Sequence, residues 1–260
     1  MRRKGQVLLA ILALPALLLA YSEEDWRAYS RTKVELVDTF SLPFQAAGPF
    51  VLLGDKLVFL SKGSDSLISL DTATRAVVDR AKIASAWNMD ISAMTAHDGK
   101  LYLMSRATRA IYRYEPDHEG GGPKLLLDLG KVRFDGEPML STFAYDGEYV
   151  YVVVLHGFNT AVVRIQPGTG RSGFFASAVG RPAALCADAG AVYYMTHQSV
   201  PTPSPILQKY ACRLVAGQAE ATGLLEIQLP CTRSSALVVR ANFVATLCAP
   251  ATKVTRLVLK

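Results

Sequence analysis

One short stretch limits the possible folds more than any other: Asp98-Gly99-Lys100-Leu101-Tyr102-Leu103-Met104-Ser105. Asp-Gly supplies the left-handed dihedrals of a tight hairpin turn, and the apolar run behind it reads as a buried strand. The device returns as Gly54-Asp55-Lys56-Leu57, Asp146-Gly147-Glu148-Tyr149, Ala189-Gly190-Ala191-Val192 and Ala241-Asn242-Phe243-Val244. With Leu57, Leu101, Tyr149, Val192 and Val244 opening the strand after each turn, the spacings are 44, 48, 43 and 52 residues. A period of about 40–50 residues marks a ring or stack of equivalent units. Helical periodicity is hard to find beyond Glu35.

Each unit divides into four strands, A to D. Strand A precedes the turn (Phe50–Leu53, Ile91–Ala96, Leu140–Tyr145, Ala183–Ala187, Ala236–Val239). Strand B follows it (Leu57–Ser61, Leu101–Ser105, Tyr149–Leu155, Val192–Thr196, Phe243–Cys248). Strand C is Leu67–Leu70, Ala110–Tyr114, Ala161–Ile165, Leu207–Tyr210 and Val254–Leu257; strand D is Ala76–Val78, Lys124–Leu127, Gly173–Phe175 and Leu224–Ile227. The fifth unit lacks a strand D, and Val34–Phe40 is a strand without a unit. The fold class expected is therefore all-β: a five-bladed β-propeller whose N-terminal strand completes the last blade and removes an exposed edge. A barrel or a two-sheet sandwich would explain the alternation but not the even period.

The N-terminus has a different character. Arg2, Arg3 and Lys4 precede an apolar run from Val7 to Ala20, broken only by Pro15. The run is short for a membrane span and matches the h-region of a signal segment. Residues 1–21 read as a signal peptide or signal-anchor helix, 22–34 as a linker and 35–260 as the propeller. A cleaved signal and a retained anchor both remain open, the anchor holding the membrane through residues 7–20. Either places the domain in the periplasm or on the extracytoplasmic face of the inner membrane. Half of the +6 net charge is that basic trio. Nothing else resembles a basic patch, so no nucleic-acid partner is expected.

The turn motif, with a following strand that ends Val163-Arg164-Ile165-Gln166-Pro167-Gly168-Thr169-Gly170, resembles the bacterial propeller repeats of the NHL and YVTN type. The resemblance covers roughly Glu35 to Lys260. It implies the fold and little about function, because that fold hosts hydrolases, lyases, electron carriers and scaffolds. The acidic and amide set of calcium-dependent lactonases is missing at equivalent positions. The Trp-ended docking repeat of quinone-dependent dehydrogenases is missing too, Trp26 and Trp87 being the only tryptophans.

In such a ring the D-to-A and B-to-C connectors share one face, where binding sites gather. The crossovers bring Trp87, Asn88, Asp90, Asp135, Glu137, Arg181 and Arg233 to it. The B-to-C loops bring Arg106, Arg109, His156, Asn159 and His197. That mixture suits a small polar ligand or an envelope protein; it also suits a solvated rim. Asp90 and Glu137 are the candidate acid and base of a carbohydrate-type hydrolase. No catalytic triad, phosphate loop, cofactor motif or metal-ligand spacing is seen. The four cysteines lack zinc spacing. Cys231 and Cys248 fall at the same end of the last A–B hairpin and form the candidate disulfide, worth about 3 kcal/mol by loop entropy. Cys186 and Cys212 read as buried thiols. Ser199-Val200-Pro201-Thr202-Pro203-Ser204-Pro205 reads as a stiff extended loop over the same face. The functional expectation is a binding or scaffold module of a cell-envelope assembly, with an envelope hydrolase as the alternative.

Overall fold

A computed structural model of the chain describes residues 34–259 apart from 63–65, 84–89, 116–122, 158, 179–180, 198–204, 216–217, 229–233, 242 and 249–251. The signal segment and residues 22–33 of the linker lie outside the described residues, and so does the proline loop up to Ser204. Among the described residues, no helix is long and apolar enough to cross a membrane.

The strands form five four-stranded antiparallel sheets. The first holds β2 (Ala46–Leu53), β3 (Lys56–Ser61), β4 (Ser66–Asp71) and β5 (Val77–Lys82). The second holds β6 (Ile91–His97), β7 (Lys100–Ser105), β8 (Ala110–Tyr114) and β9 (Lys124–Asp128). The third holds β10 (Glu137–Tyr145), β11 (Val150–His156), β12 (Asn159–Ile165) and β13 (Ser172–Ala178), and the fourth β14 (Arg181–Asp188), β15 (Ala191–His197), β16 (Pro205–Val215) and β17 (Gln218–Gln228). The fifth joins β18 (Ser234–Arg240), β19 (Phe243–Cys248) and β20 (Lys253–Leu259) to β1 (Val34–Ser41), which pairs antiparallel with β20. The first strand of each sheet is innermost. These strands touch in a ring: β2 with β6, β6 with β10, β10 with β14, β14 with β18, and β18 with β2. The sheets are thus the blades of a β-propeller.

The core lies between blades, in five apolar clusters, one at each junction. Strand B of each blade explains the continuous apolar runs. Leu101 and Leu103 pack toward the first blade, whereas Tyr102 and Met104 pack toward the third. Alternate residues of one strand point to opposite faces, and here both faces are covered. The equivalent inward positions are Leu57, Leu101, Val150, Val192 and Val244. The third blade is therefore one residue out of the sequence-based alignment, which used Tyr149. The cause is its turn: Asp98 and Gly99 make a two-residue turn with φ 47° and 70°, but Asp146 to Tyr149 make a four-residue one. Asp146 closes it by accepting from the backbone N–H groups of Glu148 and Tyr149 at 2.9 and 2.7 Å.

Closure of the ring is reinforced by charge. Asp38, at a register shift in β1, accepts hydrogen bonds from Arg256 of β20 and from Arg75 of the first blade. Arg256 also donates to the Thr72 carbonyl of that blade at 3.0 Å. Both guanidinium groups lie over the Phe40 ring, at 5.2 and 5.6 Å. The turn that carries Arg75 is held by Asp71, whose Oδ1 accepts from the N–H groups of Ala73 and Thr74.

Hydrogen bonding to Arg256 holds the Asp38 carboxyl below the usual carboxylate range; burial opposes this, and the charges of Arg256 and Arg75 add to it. A depressed carboxylate stabilises the fold above its unfolded pKa of about 3.9, and that stability is lost as pH falls through the folded value. Asp38→Asn should lower Tm at pH 7 by several degrees, from a loss of about 1–3 kcal/mol. The gap from the parent should narrow in thermal scans below about pH 3.9.

Candidate functional site

The innermost strands turn one hydrogen-bonding edge toward the central channel, and these edge groups need partners. Side chains of neighbouring blades supply several. The Leu185 N–H donates to Thr142 Oγ1 at 2.7 Å, and the Val239 N–H to Cys186 Sγ at 3.3 Å. The Ala241 N–H donates to Asp188 Oδ2 at 2.7 Å, and Arg240 reaches the Gly54 carbonyl at 3.1 Å. His97 packs edge-on against Tyr145, with ring centres 5.6 Å apart. Asp146, besides closing its turn, accepts from the Tyr151 hydroxyl at 2.7 Å.

A cavity of about 550 Å³ opens at this end of the channel, where the A–B turns lie. Cys186, Asp188, Arg240, His97 and Asp146 line it. The mouth expected from the sequence, at the D-to-A and B-to-C connectors, is the opposite end. The channel wall is polar, but most of its side chains bond blade to blade. Burial pushes the Cys186 thiol up to about 12, so it is no nucleophile near neutral pH. Among the described residues, no group of three or more His, Cys, Asp or Glu could hold a metal ion.

A second feature lies at the same end. β16 is in register with β15 as far as Ala211, which pairs with Ala191 just after the A–B turn. Four further pairs, from Cys212 with Ala221 to Val215 with Gln218, continue as a two-stranded ribbon. The ribbon overhangs the face that carries the A–B turns. Both strands are longer than the Leu207–Tyr210 and Leu224–Ile227 expected from the sequence.

Among the described residues, those expected at the other mouth do not form one constellation. Asp90 is ion-paired to Arg106 at 3.2 Å, both well exposed. Glu137 starts β10, exposed. Arg109 sits in the β7–β8 turn with φ 53°, its carbonyl accepting from the Leu129 N–H. Arg181 and His197 are register partners of β14 and β15. Trp87, Asn88 and Arg233 lie outside the described residues. Three of the set do meet: Asp135, His156 and Asn159 border a cavity of about 560 Å³ on the flank of the third blade. His156 Nδ1 lies 3.2 Å from the Asp135 carbonyl and 3.5 Å from its carboxylate. Gly136 allows this contact. A Cβ there would come within 2.4 Å of the Leu155 carbonyl, and its φ is +132°.

No family model matches the sequence, and no curated protein matches it. Solved structures do. Glutaminyl cyclase from Myxococcus xanthus aligns with a TM-score of 0.55 over 87% of this chain and 96% of that one, at 12% identity. The chain is a β-propeller. Two further matches are looser: a nidogen/laminin complex (TM-score 0.49, 14% identity, 72% of this chain and 68% of that one) and a streptogramin B lyase structure (TM-score 0.42, 12% identity, 90% and 99%). At these identities the likeness is one of fold alone. The resemblance to NHL and YVTN repeats accordingly goes no further than the propeller fold.

Two measurements check this geometry. Gly136→Ala should destabilise the fold by about 1–3 kcal/mol in denaturant titration, because backbone must move to admit the methyl group. Alkylation at pH 8, read by peptide mass, should leave Cys186 unmodified in the native chain and modify it after denaturation.

Proposed function

We propose that this β-propeller is a binding module that docks an envelope protein on the outer side of the inner membrane. The observation that carries the reading is the ribbon of residues 212–221 beside a channel mouth where Asp188 and Arg240 are already bonded between blades. Where it outruns β15, the β16 edge of the ribbon has no ladder partner within its sheet. Such an edge is a template for strand addition by another chain, which supplies backbone affinity with little side-chain specificity. Export rests on the basic and apolar signal segment, residues 1–21. Support for the alternative, hydrolysis by Asp90 and Glu137, is thinner: Asp90 is already neutralised by Arg106, as a solvated rim residue would be.

An oxidising compartment also fits a Cys231–Cys248 disulfide, which we propose with the module. Among the described residues, Cys186 is a free cysteine. Cys248 is the register partner of Ser234, close in sequence to Cys231. Intact mass with and without reductant should differ by two hydrogens if this is the chain's single disulfide; an unchanged mass contradicts the pairing.

The docking role is tested by replacing residues 212–221 with a two-residue turn in the full chain. Cross-linking in membranes should attach a partner to the ribbon in the parent and not in the trimmed variant. An identical cross-linked product from both would contradict the reading.

A further inference from the structure

The flank cavity of the third blade lies apart from the channel face and does not depend on the docking reading. Its floor is one face of β11 to β13. Val154 pairs with Ala161, and Val163 with Phe174, in adjacent rows. The inner part of this face is covered by the second blade, where Val154 joins the core. The outer part is open, and Phe174 is 62% exposed. The crossover carrying Arg133, Phe134 and Asp135 forms the opposite wall. It is fastened at both ends: Ser172 Oγ donates to the Arg133 carbonyl at 2.9 Å, and Gly136 lies against β11. The cavity is therefore built by backbone packing rather than left by a loose loop.

We propose that this cavity binds a neutral saccharide of about disaccharide size. A sugar presents a C–H face and a hydroxyl rim, and the cavity presents both complements. Phe174 gives an aromatic surface for the C–H face. Asp135, Asn159, Arg133 and His156 give planar polar groups for the hydroxyls. Their hydrogen-bonding capacity is largely unspent. The Asp135 side chain is fully exposed beside His156. Neither the Asn159 amide nor the Arg133 guanidinium has a side-chain partner among the described residues. The His156 ring is exposed and meets the Asp135 carbonyl through Nδ1, so Nε2 is the ring nitrogen left for a ligand hydroxyl.

Other ligand classes fit less well. A wholly apolar ligand would strand the polar rim without partners. A phosphorylated one would meet the Asp135 carboxylate as well as Arg133. The volume, about 560 Å³, lies within the range of small-ligand clefts, about 300–1,000 Å³.

The test is calorimetric titration of the full chain with cellobiose, maltose, lactose and chitobiose in turn. At least one should bind saturably, and Phe174→Ala and Asn159→Ala should each weaken that binding by about tenfold. Both residues are exposed, so Tm should stay within about 2 °C of the parent. Trimming residues 212–221 should leave the sugar affinity unchanged, which separates this site from the docking ribbon. Absence of saturable binding to all four sugars overturns the proposal. Binding that survives both substitutions at parental strength overturns it too.

Discussion

The structure depends on one junction, where β1 zips onto β20 and Asp38 is clasped by Arg256 and Arg75. A propeller blade has no core of its own. Its apolar residues face two neighbours, and a ring left open exposes two such faces at once. Closure buries Phe40, Leu57, Phe59, Leu247 and Val254 in the last cluster. The closing strand is drawn from the far end of the chain, so its pairing orders the most distant segments together. The Asp38 group adds direction to that pairing: it ties the last blade both to its own outer strand and to the first blade.

Closure also decides what the channel can do. Bringing innermost strands together leaves edge N–H groups facing inward, and these must be satisfied. Thr142, Cys186 and Asp188 meet part of that demand, so residues that look functional from their position serve the ring. A register shift recurs near the start of every innermost strand, at Ala46/Phe50, Ile91/Ala93, Pro138/Phe143, Pro182/Ala184 and Ser234/Ala236. Such bulges bend a strand and raise its twist, and they tolerate proline. Under both proposals, recognition takes place outside the wall, on the overhanging ribbon and on the flank of the third blade.

The blade repeat was readable because strand B is buried on both faces, so its composition hardly varies around the ring. The Asp-Gly and Ala-Gly turns marked the register wherever two residues reverse the chain. They misled by one residue where Asp146 caps a longer turn. The ribbon is not legible in the sequence, because residues 212–221 alternate no more strongly than a loop would. Asp38 was invisible for a different reason: its partner Arg256 is 218 residues away, and no local pattern announces such a pair. Linear order assigns connector residues to one end of the blades but cannot say which of them meet. Asp135 and His156 do so through the close approach at Gly136, whereas Asp90 is taken by Arg106.

Ring closure is tested most directly by Thr39→Cys with Thr255→Cys, whose native hydroxyls lie 3.2 Å apart across β1 and β20. Mild oxidation of the folded monomer should join the two new cysteines, seen as one linked peptide, and raise the unfolding midpoint. If no such peptide forms while the chain is folded, the two ends are not paired and the closed ring is contradicted.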